Sequence, residues 1–292
     1  VDVTFIARGD HLAAMRERGL RIESPDGNID LPRVSAAGDT AEVGPVDVVL
    51  FTVKLYDTES AVAVLPPLIG PRTVVIPFQN GVESVARLAR AVGREHVAGG
   101  TCYVSAVIAA PGVIRHTAMG RLIFGPVDSG EAGAPVRDAL AALRAACDGA
   151  GFDAILSDDI MTDIWSKFAR LTVFSGMTTV TRCPLGPIMS DPDLSAMMTE
   201  ALHESFAVAR ASGIPLDEAQ IPAIIKANAA MPPGMKSSML EDLERGRPLE
   251  LPFLSGALVR IGSERGVATP IHRFIATVLK PYVRGSPSSA PH

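Results

Sequence analysis

The chain has 292 residues, 47% of them hydrophobic and 20% charged, and its 27 lysines and arginines stand against 32 aspartates and glutamates, a formal net charge of −5. That apolar share excludes a disordered chain, and the acidic balance argues against a nucleic-acid-binding protein, which at this size usually carries a basic excess. At roughly 150 residues per domain, the length predicts about two domains, each able to bury its own core.

The first half alternates strand and helix patterns. Val3 to Ala7 is a short apolar run and a helix pattern follows from Asp10 to Arg18. Leu20 to Glu23 and Ile29 to Val34 flank Pro25-Asp26-Gly27-Asn28, a turn-rich tetrad that predicts a hairpin. Val46 to Val53 is nearly all apolar, as a strand covered on both faces should be. A helix pattern spans Thr58 to Leu68, a strand Thr73 to Phe78, and a helix Glu83 to Val92. Val97 to Ile114 holds no charge, but its glycines and Pro111 read as buried strands and a turn rather than a membrane span. Strands are expected at Val97 to Ala109, Val113 to Thr117 and Leu122 to Phe124, then a helix from Ala134 to Gly149 and a strand from Asp153 to Leu156.

After Ser157-Asp158-Asp159, a helix start signal, strand patterns cease. Ile160, Ile164, Lys167, Phe168 and Leu171 recur at helical spacing. Helices are expected at Leu194 to Ala211, Glu218 to Ala230, Ser238 to Arg245, Glu250 to Gly266 and Pro270 to Val283, with a disordered tail over 285–292. The pattern predicts a Rossmann-like, mainly parallel α/β domain over residues 1–156 and an all-helical domain over 157–292, with the active site in the cleft between them.

Cys102, Cys147 and Cys183 show no CxxC spacing, which argues for thiols outside any disulfide and a reducing compartment. The six histidines are scattered, so no metal is expected. No secretory signal is visible, and the expected location is cytoplasmic.

A dinucleotide-binding sheet usually opens with a strand, a Gly-rich turn and a helix. Here that unit is missing, and Val3 to Ala7 reads as the second strand of such a sheet. Gly149-Ala150-Gly151 follows a helix and precedes a strand, so it reads as a helix C-cap instead. Arg8 stands where an acidic residue would bind the ribose of NAD, and a cation there suits a 2′-phosphate.

Phe5-Ile-Ala-Arg8-Gly-Asp-His-Leu12, Asp47 to Lys54, Gln79-Asn80-Gly81-Val-Glu83, Ile164-Trp-Ser-Lys167, and Ser237-Ser-Met-Leu-Glu-Asp242 with Glu250 resemble the 2-dehydropantoate 2-reductase (ketopantoate reductase) family, in order along nearly the whole chain. The resemblance implies an NADPH-dependent reduction of a 2-keto acid, of the kind used in pantothenate biosynthesis. It implies Lys167 as general acid, protonating the alkoxide that hydride transfer creates. It also implies cofactor contacts from Arg8, Lys54, Asn80, Ala106 and Glu250, and substrate contacts from Asn80 and Ser238. Ser238 also reads as the N-cap of the helix from Met239. A homodimer is a further expectation.

Three positions depart from the family pattern. Where it places amides for the substrate, this chain has Leu171, Ser175 and Leu185. A site loses affinity for polar groups it can no longer pair, so a less polar 2-keto acid is expected, with Arg170 or Arg182 as the carboxylate clamp. The alternative is a non-catalytic ligand-binding or dimerisation protein that keeps the fold. An NAD-linked 2-hydroxy-acid dehydrogenase of another type is disfavoured by Arg8 and by the lack of a His/Asp/Arg triad. The missing first strand predicts either a gap or direct pairing between the strands at Val3 to Ala7 and Val46 to Val53, and weak NADPH binding by the chain as written.

Overall fold

A computed structural model describes residues 1–128 and 133–286. The tail expected over 285–292 lies outside the described residues from 287 on. The chain packs as two compact units: Val1–Gln79 with Ser84–Ile160, and Asn80–Glu83 with the chain from Met161 on.

The first unit runs β1 (Thr4–Ile6), α1 (Gly9–Arg18), β2 (Leu20–Glu23), β3 (Ile29–Leu31), β4 (Ser35–Ala37), β5 (Val48–Phe51), α2 (Thr58–Val62), β6 (Val74–Pro77), α3 (Ser84–Val92), β7 (Gly99–Ala110), β8 (Val113–Gly125), α4 (Ala134–Gly149) and β9 (Asp153–Leu156). Pairing is parallel for β1–β4, β5–β6, β2–β8 and β8–β9, and antiparallel for the β2–β3 hairpin and for β7–β8. The Rossmann-like, mainly parallel architecture expected of this half is present.

β6 is its most buried strand, because successive side chains point to opposite faces and both faces are covered. Val74 and Ile76 pack with Val136 and Leu140 of α4, while Val75 packs with Leu88 of α3 and Phe51 of β5. The chain after β6 is therefore held at a fixed point. Gly151, at φ 70°, ends α4 as the C-cap reading requires, and the Phe152 amide donates back to the Cys147 carbonyl.

Several expectations need correction. The helix pattern from Thr58 to Leu68 stops at Val62, because Pro66-Pro67 cannot continue an α-helix and forms a 3₁₀ turn over Pro66–Leu68. The two short strands expected between Val113 and Phe124 are one strand. β8 absorbs an extra residue at Met119-Gly120, where Met119 adopts φ 63° and the register with β7 shifts. In the uncharged stretch from Val97, residues 97–101 are buried, but Val107 and Ile108 on the far half of β7 are exposed. Leu50 of β5 is 47% exposed, so that strand is not covered on both faces. Among the described residues no ladder joins β1 to β5. The hairpin strand β3 ends at Leu31, and Ser35–Ala37, unseen in the sequence, becomes the partner of β1.

Gly125, the last residue of β8, shows how tightly this unit closes. A Cβ there would stand 2.3 Å from the Ser157 carbonyl oxygen, a backbone atom that cannot swing aside. Gly125→Ala should therefore destabilise the protein by about 1–3 kcal/mol, read as a fall of roughly 3–8 °C in the melting midpoint. An unchanged midpoint would show that the strand end relaxes freely.

The second unit contains no strand among the described residues. It runs through α5 (Ile160–Thr181), α6 (Leu185–Ser190), α7 (Pro192–Ala211), α8 (Ile221–Ala229), α9 (Ser238–Glu244), α10 (Ser255–Glu264) and α11 (Pro270–Leu279). Phe168, Val173 and Met177 of α5 pack with Met198, Leu202 and Phe206 of α7 and Leu258 of α10. α7 starts where the Asp191 carboxylate accepts from the amides of Asp193 and Leu194, with Pro192 opening the first turn. The helix expected from Glu250 begins only at Ser255, because Pro252 and the irregular backbone of Leu254 leave a single 3₁₀ turn over Leu251–Phe253. α6 has no counterpart among the expected helices.

Candidate active site

Lys167 lies in the second turn of α5, half-buried, one residue before the fully buried Phe168. Nζ donates to Oδ1 of Asn80 at 3.0 Å, and Nδ2 of Asn80 donates to Oε2 of Glu250 at 3.0 Å. Residues 87 and 170 positions apart thus form a lysine–amide–carboxylate chain.

Each member is placed by a local feature. Asn80 follows β6, and Gly81 after it adopts φ 84°, a left-handed conformation that side-chain-bearing residues rarely take. Glu250 stands at the N-cap of the 3₁₀ turn over Leu251–Phe253 and is only 6% exposed. A buried carboxylate needs hydrogen-bonding partners, and the Asn80 amide supplies one. Between a donor-only ammonium and an acceptor-only carboxylate, the amide has one sensible orientation, oxygen toward Lys167 and nitrogen toward Glu250. The arrangement holds the Lys167 amine against the Asn80 amide, with the Glu250 carboxyl two hydrogen bonds away.

The other expected site residues fall elsewhere. Arg8 is exposed at the N-cap of α1, just past β1. Lys54 is exposed past β5, at the N-cap of a 3₁₀ turn over Leu55–Asp57. Ala106 is exposed on β7 opposite His116, next to a register shift. All three belong to the first unit.

Ser238 is exposed as the first residue of α9, and it is not the cap. The buried Ser237 fills that role, accepting from the Leu240 amide at 3.1 Å and sharing a 2.7 Å hydrogen bond with Thr178. The two neighbours therefore separate by experiment. Ser237→Ala should cost about 1 kcal/mol of stability, whereas Ser238→Ala should leave the melting midpoint in place. A stability loss in Ser238→Ala would show that this serine also supports the helix.

Arg182 cannot clamp a substrate at Lys167. It lies fifteen residues on, past the end of α5, about 22 Å along the helix axis, with its guanidinium 5.9 Å over the Tyr282 ring. Arg170 stays in reach, three residues from Lys167 and half-buried on the same side of the helix. Leu171 and Phe174, at four and seven residues, share that side and pack partly against the helical core. Ser175 is 1% exposed and its hydroxyl has no partner. Leu185 is a core residue, 1% exposed. Sequence reasoning assigned no role to Glu83 or Arg260, whose hydrogen bond joins positions 177 residues apart. No local pattern could have paired them.

Two family models match the chain: "Ketopantoate reductase PanE/ApbA" over residues 1–129 and "Ketopantoate reductase PanE/ApbA C terminal" over residues 159–283. An uncharacterized oxidoreductase, YkpB of Bacillus subtilis, is 32% identical over 96% of this chain and 91% of its own. A 2-dehydropantoate 2-reductase of Caulobacter vibrioides is 31% identical over 92% and 90%. The crystal structure of a PanE/ApbA family ketopantoate reductase from Ralstonia eutropha superimposes with a TM-score of 0.85 at 31% identity, covering 97% of this chain and 90% of that one.

Proposed function

The chain belongs to the ketopantoate reductase PanE/ApbA family, and we propose that it reduces a 2-keto acid of low side-chain polarity to the 2-hydroxy acid with NADPH, using Lys167 as the general acid. The observation that carries this reading is the Lys167–Asn80–Glu250 chain. A bound reduced nicotinamide supplies the hydride. Lys167 holds a proton at Nζ and gives it to the oxygen of the keto group as negative charge builds there. Asn80 orients the ammonium through its Oδ1, and Glu250 keeps the Asn80 amide from rotating. Ser238, exposed at the start of α9, and Arg170 are the candidate partners of the substrate carboxylate. Leu171 and Phe174 offer a substrate side chain apolar surface in place of donors, which favours aliphatic and aromatic 2-keto acids over hydroxylated ones.

The residues of the first unit fit a polyanionic dinucleotide. Arg8 and Lys54 are exposed cations just past the C-terminal ends of parallel strands, where ligands collect in open α/β sheets. Arg8 would take the 2′-phosphate, Lys54 and the Ala106 strand would contact the cofactor, and Glu250 would accept from the nicotinamide ribose. In this reading residues 1–156 serve the cofactor and 157–292 serve substrate and proton transfer. The setting is cytoplasmic and the assembly a homodimer.

The test is NADPH oxidation with a panel of 2-keto acids: ketopantoate, 2-ketoisovalerate, 2-ketoisocaproate and phenylpyruvate. Higher kcat/KM for the last three than for ketopantoate supports the reading, and no turnover with any would sink it. Arg8→Ala should lower the preference for NADPH over NADH; an unchanged ratio of the two kcat/KM values would remove Arg8 from the cofactor site.

A further inference from the structure

Residues 80–83 form a short loop in the strand-rich half of the sequence, yet they pack with the helical unit. At one end, Asn80 bonds to Lys167 and Glu250. In the middle, Val82 packs against the helical core. At the other end, Glu83 Oε1 accepts from Nη2 of Arg260 at 2.6 Å. Arg260 lies on α10, ten residues after Glu250, so one segment of chain grips the loop at both ends. Between the two grips, Gly81 adds the conformational freedom that only contacts can remove.

We infer that Arg260 is a positioning residue: by holding Glu83 it fixes the 80–83 loop, and through the loop it sets the Asn80 amide against the Lys167 ammonium. The inference rests on the reading of Lys167 and Asn80 as the reacting pair. Glu83 lies three residues after Asn80, a span of about 10 Å at full extension, so little slack lies between the clamp and the amide. The ion pair is partly exposed, with side chains 43% and 28% accessible, and such pairs contribute little to global stability. A misplaced catalytic group, by contrast, costs rate steeply even when the shift is near 1 Å. The clamp therefore belongs to turnover more than to folding.

The experiment compares the full chain with Arg260→Gln, Glu83→Gln, the double variant and Arg260→Lys. Hydrogen–deuterium exchange at amides 80–83 and steady-state kinetics are read on each. Arg260→Gln should speed exchange at 80–83 while leaving α5 and the melting midpoint unchanged. It should lower kcat by roughly tenfold, within the range expected for misplaced catalytic groups, with little change in KM. The double variant should lose no more than either single one, because both remove the same contact, and Arg260→Lys should recover part of the rate. Unchanged exchange at 80–83 in Arg260→Gln overturns the inference, and so do losses that multiply in the double variant. The exchange measurement needs no turnover. A chain that reduces no 2-keto acid, yet loosens at 80–83 in Arg260→Gln, defeats the functional reading and leaves the clamp standing.

Discussion

Lys167→Ala lowers kcat by about 10²–10⁴-fold, the range a positioned general acid contributes, and leaves KM for the 2-keto acid within a few-fold. The expectation follows from where the ammonium acts. In the proposed reading its proton matters when the keto oxygen becomes an alkoxide, so its loss would remove an interaction made in the transition state. Substrate affinity depends on other groups, chiefly the candidate carboxylate partners Arg170 and Ser238. Glu250→Gln is the informative companion. It keeps the side-chain shape and can still accept from the Asn80 amide, but it removes the negative charge behind the amide. Turnover should fall by less than in Lys167→Ala. Steady-state kinetics over a range of keto acid concentrations separates the cases. If Lys167→Ala raised KM as much as it lowered kcat, the lysine would be a binding group and the proton would come from elsewhere.

The sequence marked the candidate residues of this site more fully than the contacts among them. Lys167 was legible because a lysine beside Trp165 and Phe168 on an amphipathic helix is out of place as a solvating residue. Asn80 was legible as the residue after a buried strand. Their contact was not, since nothing local relates positions 80, 167 and 250. The serines show the limit of motif reading. Ser237 and Ser238 are identical in type, and only the start of α9 decides that the first is buried as a cap and the second faces outward. Arg182 failed as a clamp for the same kind of reason. Its charge suited the role, but the rest of α5 after Lys167 carries it about 22 Å away along the helix axis. In the fold, the strand-to-helix switch was written in the periodicity. The bulge at Met119 and the β1–β4 pairing were not, because register depends on partners far along the chain.

The helical unit loses stability as pH falls from about 6.5 to about 4, and His272 is the cause. The ring is completely buried, at 0% exposure, between α7 and α10. Nε2 lies 3.1 Å from the Ala201 carbonyl, which can only accept, so Nε2 carries the hydrogen and Nδ1 faces the Ser255 hydroxyl at 3.4 Å. Burial pushes the pKa of His272 down from 6.5 to about 4, with the bond to the Ala201 carbonyl opposing the shift. Between those two values the unfolded chain binds a proton and the folded one does not, so stability rises with pH there and is lost on acidification. A shift of that size corresponds to about 3 kcal/mol. Glu204 works in the opposite sense. Burial raises its pKa even though it accepts from the amides of Ile271 and His272, so its contribution is present at low pH and falls as pH rises through the raised value. The net acid loss is therefore smaller than the histidine alone would give. Trp165 is the sole tryptophan and lies in the helical core, so its fluorescence follows this unit during urea unfolding. His272→Gln removes the titrating ring and keeps a hydrogen-bonding side chain. The variant starts less stable at pH 7, but between pH 7 and 4 it should lose about 2–3 kcal/mol less than the parent protein. Parallel losses in the two proteins would place the acid-sensitive group elsewhere.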